Sequence, residues 1–526
     1  MNEKPVVFVA FEEQDNLGVG YLASILMEEG FPVRIVDFRV GAEAIRVQLR
    51  QLDPLVVGFS IIFQHYIDQF RDLIEFLRSD GFSCHFAAGG HYPSLRFRDL
   101  LDLIPELDSV VLFEGELTFL ELVRALAAGQ EWRGLRGLAY KKNGRTVANQ
   151  LRPLEPDLDR FPPPVRMPLK DFAVGKKFAT ILAGRGCVYG CSFCSIREFY
   201  SKPPGPIKRM RRPEMAVREM ELLHEQLGCS IFMFQDDDFP VTYRRGAWLE
   251  EFCNCLRDAG LSERVLWKIN CRPDEIEREA FLHMKKHGLF LVYLGIESGT
   301  DEGLRLMEKR TTVEINLKAA TILKELGVVY DYGFMLFDPW STFDTVAQNL
   351  DFLEDLCGDG SSPVTFCKML PYAETKIEKQ LRKEGRLIGP VGKEDYRFHD
   401  PALDSLYLLM ATCFADWIGD RDGLLNLARW VRHFIAVYHR YFPISSDIRD
   451  LEEATRTLIA QSNASFIKLT KSMISLYRPV ASKNIKARTA KLKKETETCH
   501  RHYRKALTEV MDALESLGER VLAISE

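Results

Sequence analysis

The sequence lacks the features that mark membrane-spanning, secreted and nucleic-acid-wrapping proteins. No stretch of about 18 residues is uninterruptedly apolar, which argues against an ordinary transmembrane helix. Only 12 of the 526 residues are cysteine, too few for a secreted disulfide scaffold. Lysine and arginine total 70 against 75 acidic residues, so no overall positive charge favours nucleic acid. The first residues also lack the cationic and apolar segments of a secretory signal, and we expect a cytoplasmic protein.

The composition is that of a large folded protein. Hydrophobic residues make up 46% of the chain and charged residues 28%, proportions that allow a substantial buried core. At roughly 100 to 200 residues per domain, this length predicts about three domains. A largely disordered chain and a lone small binding module are therefore not expected.

Residues 1–145 alternate short β-branched runs with amphipathic helical patterns. Continuous apolar strands between helices are typical of a parallel sheet covered on both faces, so we predict an α/β domain of the doubly wound, Rossmann-like type. Residues 146–170 form the predicted linker, because six prolines lie between positions 153 and 168 and suit a semi-rigid connector.

A second α/β series occupies residues 171–398. Six predicted strands with intervening helices suit a partial (β/α)6 barrel of the TIM type, whose active face lies at the C-terminal ends of the strands. From residue 399 to 526 the strand pattern fades and helical spacing predominates, which predicts a helical C-terminal domain.

One cysteine cluster stands out. Cys187, Cys191 and Cys194 follow the first barrel strand in the sequence GRGCVYGCSFCSI. A structural zinc site needs four ligands, and no histidine or fourth cysteine stands nearby in sequence. Three thiolates at this spacing suit an iron-sulfur cluster, with glycines 184, 186 and 190 allowing a tight loop at positive φ. Buried structural thiols are the alternative interpretation.

This loop, with the aromatic Phe193 before its last cysteine, resembles the radical S-adenosylmethionine (SAM) superfamily over residues 170 to 380. The resemblance implies that Cys187, Cys191 and Cys194 hold a 4Fe-4S cluster. It also implies that SAM chelates the fourth iron and is cleaved to methionine and a 5′-deoxyadenosyl radical.

Further positions resemble the family's SAM-contacting strand ends, with Phe193 of the loop among them. They are Asp236 and Asp237 (with Asp238 beside them) after the second strand, Arg272 after the third, and Glu297 with Ser298 after the fourth. Acidic groups suit the methionine ammonium, and arginine suits a carboxylate. The alternative is an ordinary strand-end turn or a surface ion pair. Asp338 and Trp340 depart from the family pattern, which leaves contacts from the fifth strand in doubt.

The first domain resembles the cobalamin-binding domain that often precedes this barrel. The matching positions are Asp15, Leu17 and Gly20 after the first strand, Ser60 after the third, Gly89 and Gly90 after the fourth, and Glu114 after the fifth. Leu17 stands where the cobalt-ligating histidine belongs and has no lone pair for a metal. Either cobalamin binds without a histidine from this loop or the domain has lost cobalamin; His65 and His91 lie nearby in sequence.

With both cofactors, the resemblance implies methylation of an unactivated carbon, or of phosphorus, in a small molecule or a natural-product or lipid intermediate. Two SAM molecules are consumed per turnover, one for the radical and one to remethylate cobalamin. Two alternatives remain open: a cyclase or rearrangement enzyme with the same cofactors, and a non-catalytic cobalamin or iron-sulfur sensor.

The expected partners are a small-molecule substrate and a one-electron donor such as flavodoxin or ferredoxin, without nucleic acid. The stretch Lys483–Lys505 holds nine basic residues against two glutamates. Such a run is usually a solvated helix face; docking of an acidic donor or of an anionic membrane surface is the alternative.

Overall fold

A computed structural model describes residues 4–12, 15–166, 168–419, 423–442, 445–477 and 485–525. The chain divides into two compact units that interleave along the sequence. The first unit comprises Met1–Leu169, Ala179–Glu219 and Pro371–Asp395, and the second comprises Lys170–Phe178, Met220–Leu370 and Tyr396–Glu526. The cysteine loop therefore belongs to the same unit as the N-terminal domain.

The first unit is built on a seven-stranded sheet in the order β2-β1-β3-β4-β5-β6-β7. Its strands are β1 (Val6–Ala10), β2 (Val33–Asp37), β3 (Val56–Ser60), β4 (His85–Gly89), β5 (Ser109–Val111), β6 (Leu138–Lys142) and β7 (Arg145–Ala148). The first five are parallel, as predicted, and β6 and β7 add an antiparallel hairpin. The chain adds β2 on one side of β1 and then continues from β3 on the other side. Ligand crevices form in such sheets at this point, between β1 and β3.

Six helices accompany this sheet. They are α1 (Leu17–Glu28), α2 (Ala42–Leu52), α3 (Ile67–Ser79), α4 (His91–Leu95), α5 (Phe97–Leu103) and α6 (Glu116–Ala127). In α3 the buried residues recur at helical spacing, which gives one apolar face toward the sheet. Two apolar clusters, one on each face, bury the strands.

The proline-rich segment packs against α1. The N–H group of Val165 donates to the Gly20 carbonyl at 3.1 Å, and the Ser24 hydroxyl donates to the Pro163 carbonyl at 2.5 Å. The linker is thus anchored to the first unit by hydrogen bonds.

The remaining elements of the first unit surround the cysteine loop. β10 (Gly184–Arg185) and β11 (Arg209–Met210) form a short antiparallel ladder, and α7 (Ser195–Ser201) begins directly after Cys194. α14 (Lys376–Lys383) and β17 (Leu387–Ile388) complete the unit, with β18 (Asp395–Tyr396) at its end.

The second sheet has the order β16-β15-β14-β13-β12-β9-β8. Its strands are β8 (Lys170–Ala173), β9 (Lys176–Ile181), β12 (Cys229–Phe234), β13 (Leu266–Cys271), β14 (Leu289–Glu297), β15 (Val329–Phe337) and β16 (Cys367–Lys368). The strands from β12 to β16 are parallel, which confirms the predicted partial barrel. The division between the two units falls within β9.

Helices follow the strands of this sheet and then form the C-terminal region. They are α8 (Pro213–Leu227), α9 (Ala247–Asp258), α10 (Arg278–Lys286), α11 (Asp301–Leu306), α12 (Val313–Leu326), α13 (Phe343–Cys357), α15 (Pro401–Cys413), α16 (Leu424–Tyr441), α17 (Ser446–Tyr477) and α18 (Ile485–Ser525). The apolar face of α16 packs on residues near the start of the strands, such as Ile231, Leu266 and Leu291. The predicted helical C-terminal region is confirmed, and no helix among the described residues is both long and apolar enough to cross a membrane.

Candidate cofactor-binding site

Among the described residues none of the three cysteines of the loop forms a disulfide bond, and each is partly exposed. The Cys194 N–H group donates to the Cys191 carbonyl at 3.2 Å, so the last two cysteines share one turn, and Cys194 caps the start of α7. No three His, Cys, Asp or Glu side chains converge as ligands of a single metal ion in the part of the chain that the structure describes. Three partly exposed cysteines on one short loop suit an iron-sulfur cluster, whereas structural zinc needs four ligands.

The glycines of the loop have different roles. Gly186 has φ +83°, and a Cβ there would lie 1.9 Å from the Ile207 carbonyl oxygen, so only glycine fits. Gly184 lies in β10, where a Cβ would stand 2.5 Å from the Arg209 carbonyl oxygen. Gly184 and Gly190 do not have positive φ, which corrects the expectation for these two residues. A Cβ on Gly190 would meet nothing within 4 Å.

Glu114 binds the two arginines at the base of the loop. Its Oε1 accepts hydrogen bonds from Arg185 Nη1 at 3.1 Å and Arg209 Nη2 at 2.8 Å, and its Oε2 accepts from Arg209 Nη1 at 2.8 Å. Burial alone would raise the pKa of the Glu114 carboxyl, but the Arg209 hydrogen bonds and the Arg185 charge hold it below its usual value. Glu114 is therefore an anion paired with guanidinium groups.

Aromatic contacts join α4 and α7. The His91 ring stacks on the Phe199 ring with centroids 4.2 Å apart and planes at 6°, and Phe113 also contacts Phe199. Burial lowers the pKa of His91 to about 4, so the imidazole is neutral at physiological pH. His65 is exposed and contacts the rings of Phe63 and Tyr66.

The loop after β1 carries three of the predicted cobalamin contacts. The Asp15 carboxylate accepts from Arg166 Nη1 at 2.9 Å and from the Thr180 N–H group at 3.2 Å. Leu17 is the first, buried residue of α1. A Cβ on Gly20 would lie 2.5 Å from the Val165 carbonyl oxygen, so the missing side chain makes room for the linker.

The predicted tail-binding strand ends lie side by side. Ser60 at the end of β3 pairs with Gly89 at the end of β4, and Ser60 is only partly buried. Gly90 has φ +118°, and a Cβ there would stand 2.6 Å from the Ile61 carbonyl oxygen. Two neighbouring strand ends with small residues next to the point where the strand order reverses fit the cobalamin tail.

Glu12 is a residue that sequence reasoning missed. It follows β1, is 6% exposed, and its Oε1 has no hydrogen-bond partner among the described residues. Burial and the nearby Asp15 raise its pKa to about 7. The sequence did contain a signal for Glu12, because it places an acidic residue directly after the first strand of a doubly wound sheet. Such strand ends line the ligand crevice.

The second unit carries the predicted SAM-contacting strand ends. Asp236 and Asp238 are buried and Asp237 is exposed; the Asp236 carbonyl accepts from the Asn270 side chain at 3.0 Å. Arg272 is 5% exposed and donates from Nε to Asp274 at 2.8 Å. Its Nη2 donates to the Lys309 carbonyl at 2.5 Å, so its guanidinium already has protein partners.

The end of β14 brings Glu297 to Lys309 with 3.3 Å between Oε1 and Nζ. Glu297 has φ 68°, a left-handed conformation that redirects the chain at the strand end. Ser298 is fully buried, and its hydroxyl contacts the Asn349 side chain at 3.4 Å and accepts from the Thr300 N–H group. Phe193, in the first unit, is partly buried.

One face of the second sheet is polar. Asn270, Tyr293 and Asp331 are partners across β13, β14 and β15, and the Lys268 ammonium donates to Asn270. Burial lowers the pKa of Lys268 to about 8 and raises that of Tyr293 to about 12. Asp331 accepts from Arg432 at 2.9 Å, and this pairing, with His433 at 3.0 Å, holds its pKa well below the usual range despite burial.

Cys367 belongs to the same polar face. It pairs with Met335 of β15, and its side chain is exposed.

The departure at Asp338 and Trp340 has a local structural explanation. The Asp338 carboxylate accepts from the Trp340 N–H group at 2.8 Å, and the Ser341 hydroxyl accepts from the Asp338 N–H group at 2.9 Å. The loop leads into α13 and lines a cavity of about 400 Å³ with His399 and Asp400. Asp338 therefore stabilises the turn that begins the helix.

The basic stretch lies on α18. Lys483 lies outside the described residues. The other eight basic side chains are exposed: Lys486, Arg488, Lys491, Lys493, Lys494, Arg501, Arg504 and Lys505.

Comparison with known proteins matches two domains. Residues 181–353 match the Radical SAM superfamily, and residues 3–123 match the B12 binding domain. An uncharacterized methyltransferase of Pyrococcus horikoshii is 28% identical over 371 residues, covering 69% of this chain and 77% of that protein. An anaerobic magnesium-protoporphyrin IX monomethyl ester cyclase of Rubrivivax gelatinosus is 28% identical over 412 residues, covering 73% of this chain and 71% of that protein.

A solved structure has the same fold. The cobalamin-dependent S-adenosylmethionine radical enzyme OxsB, with aqua-cobalamin and S-adenosylmethionine bound, superposes with a TM-score of 0.67 at 17% identity. The match covers 99% of this chain and 80% of that one. The fold thus extends over both units.

Proposed function

We propose that this cobalamin-dependent radical SAM protein, whose B12-binding domain precedes its radical SAM domain, is a methyltransferase acting on an unactivated carbon, or on phosphorus, of a small molecule. The candidate substrates include natural-product and lipid intermediates. The single observation that carries the proposal is that the three-cysteine loop and the B12-binding sheet lie in one compact unit, joined by Glu114.

The two domains imply a 4Fe-4S cluster, SAM and cobalamin as cofactors. Together these supply a radical that removes a substrate hydrogen and a methyl group that replaces it. Cys187, Cys191 and Cys194 would hold the cluster, and Gly186 keeps their loop closed against Ile207. Asp236, Asp237, Arg272 and Glu297 are the proposed SAM contacts; Phe193 and Ser298 complete that set.

In the B12-binding domain, Ser60, Gly89 and Gly90 would receive the nucleotide tail of cobalamin. Leu17 has no lone pair for a metal, and the ring of the half-buried His91 packs on Phe199. The loop after β1 and the start of α4 therefore offer no available imidazole ligand. Asp15 and Gly20 support the site by fixing this loop and the linker. Cobalamin is therefore expected to bind without a histidine ligand from these positions.

The polar face of the second sheet would bind the substrate. Among the described residues, Lys268 has one hydrogen-bonding partner, Asn270. The Tyr293 phenol stays protonated because burial raises its pKa to about 12. These donors favour a substrate that presents an anionic or hydrogen-bond-accepting group. A one-electron donor such as flavodoxin or ferredoxin would reduce the cluster, and the exposed basic side chains of α18 suit an acidic protein of that kind.

Ring closure or rearrangement is the second candidate function, because the cyclase of Rubrivivax gelatinosus is as similar as the methyltransferase. The two differ in product mass. Protein reconstituted anaerobically with iron, sulfide and cobalamin should be incubated with a small-molecule extract and SAM carrying a deuterated methyl group. Methyl transfer places the label in a product, whereas cyclisation or rearrangement gives an unlabelled product.

A non-catalytic sensor is distinguished by SAM cleavage. The proposed enzyme forms 5′-deoxyadenosine when reduced, and a Cys191→Ala variant does not. A wild-type protein that forms no more than this variant contradicts the proposed activity.

A further inference from the structure

We propose that Glu114, a residue of the B12-binding domain, is a positioning residue for the iron-sulfur cluster: it holds the base of the cysteine loop and sets the reduction potential of the cluster. The sequence instead predicted a cobalamin contact at this position. The inference rests on the assignment of the cluster to Cys187, Cys191 and Cys194 in the proposed function.

Glu114 joins the two arginines of the β10-β11 ladder. Arg185 and Arg209 are direct partners in the β10-β11 ladder, and Arg185 stands two residues before Cys187. Glu114 Oε1 accepts from Arg185 and Arg209, and its Oε2 accepts from Arg209, at 2.8 to 3.1 Å. A single carboxylate from the turn after β5 thus closes the base of the loop across more than 70 residues of sequence.

The three charged side chains are largely buried. The Arg209 side chain is 2% exposed, and those of Arg185 and Glu114 are 11% and 12% exposed. Charges removed from water in this way act more strongly on each other and on nearby groups than surface charges do. Changing one of these charges therefore alters the local electrostatic potential, because little solvent is present to compensate for it.

The two arginines differ in their carboxylate partners. Arg185 has a second carboxylate partner, Glu116, at 2.6 Å. Arg209 has Glu114 as its carboxylate partner; its other contacts are the Glu155 carbonyl and the Tyr200 ring. Loss of the Glu114 charge would leave Arg209 uncompensated, and an added positive charge favours the reduced, more negative cluster.

Two variants should therefore have opposite effects on the reduction potential of the cluster. Glu114→Gln keeps the shape of the side chain and removes a negative charge, so the potential of the cluster should rise. Arg209→Met removes the positive charge on the other side of the pair, so the potential should fall. The double variant should return toward the wild-type potential, because the local charge is restored.

The control is Glu121→Gln. Glu121 lies on α6 and pairs with Arg152, not with an arginine of the loop. This variant should leave the potential unchanged. Cobalamin binding, followed by absorbance, reports independently on the fold of the compact unit that carries Glu114, Arg209 and Glu121.

The experiment is an EPR-monitored redox titration of the reconstituted holoprotein, where cluster and cobalt signals separate by g-value and temperature. Opposite shifts for Glu114→Gln and Arg209→Met, with cobalamin affinity within about twofold of wild type, support the proposal. A purely structural role predicts shifts of the same sign or loss of the cluster in both, and either result overturns it. So does weaker cobalamin binding by Glu114→Gln at an unchanged potential.

Two further outcomes also decide between the proposals. If one single variant fails to retain cobalamin, the potential of the other single variant is compared with that of the double variant. The double variant should lie above Arg209→Met, or below Glu114→Gln. If the wild-type protein holds no cluster, the proposed function fails. If it holds a cluster whose reduction potential is the same in Glu114→Gln and Arg209→Met, only the role of Glu114 is contradicted.

Discussion

The rings of His91 and Phe199 lie parallel, with centroids 4.2 Å apart and planes at 6°. His91 starts α4 directly after Gly90 of the B12-binding domain, and Phe199 lies on α7, which begins after Cys194. Together with the Glu114 ion pairs, this stack connects the predicted cobalamin-binding edge to the cysteine loop within one unit.

The His91 stack predicts a pH-dependent stability. Burial lowers the folded-state pKa of His91 to about 4 from its ordinary 6.5, so the unfolded chain binds more protons between these values. The free energy of unfolding should therefore fall as the pH drops from 6.5 to 4, with His91 contributing about 2 to 3 kcal/mol of that loss. His91→Phe keeps an aromatic ring and should lack this component. Urea titrations at several pH values measure it, and identical pH profiles for both proteins would contradict it.

Gly186 and Gly190 form a matched pair in the cysteine loop. Gly186→Ala places a Cβ 1.9 Å from the Ile207 carbonyl at φ +83°, whereas Gly190→Ala places one in open space. We expect Gly186→Ala to lose most of its iron after reconstitution and Gly190→Ala to retain about four irons per chain. Iron analysis tests this directly; equal iron content in the two variants would show that the loop does not depend on the close approach.

Asp331 is the buried anion that fixes α16 to the second sheet. Asp331→Asn would leave Arg432 buried without a carboxylate, and this should lower the free energy of unfolding by about 3 to 5 kcal/mol. The control is Asp351→Asn, since Asp351 is 64% exposed in its pair with Lys471 and should cost no more than about 1 kcal/mol. Denaturant titrations at pH 7 compare the two, and similar losses would contradict the importance of burial.

Cys191→Ala separates the two cofactors. The variant should lose its cluster and still bind cobalamin, because the strand ends near Ser60 and Gly89 are unchanged. Iron and cobalt analysis of the same preparation measures both. Loss of cobalamin along with iron would indicate that the loop contributes directly to cobalamin binding.

Local patterns predicted much of the fold. The sequence predicted β1 to β5 and the six strands of the partial barrel, because buried parallel strands are continuous hydrophobic segments. The β6-β7 hairpin was missed although Asn143 and Gly144 mark it: both have positive φ, and this pair is a strong hairpin signal.

Interactions between residues far apart in the chain could not be predicted from the sequence. Nothing in the local sequence indicates that Glu114 would meet Arg209, 95 residues away, or that Gly20 would face the linker at Val165. Ser298 was predicted as a SAM contact from its resemblance to the family's strand end, whereas its hydroxyl contact with Asn349, about 50 positions later, was not predicted. Such pairings depend on the tertiary fold, so motif position alone could name candidate residues without their partners.

The most direct test of the account is mass spectrometry of an anaerobic reaction that contains the reduced, cobalamin-loaded protein, a small-molecule extract and SAM with a deuterated methyl group. The account predicts 5′-deoxyadenosine together with a product that carries the deuterated methyl group, and neither with Cys191→Ala. Formation of 5′-deoxyadenosine with only unlabelled products would contradict methyl transfer, and absence of 5′-deoxyadenosine would contradict the radical chemistry itself.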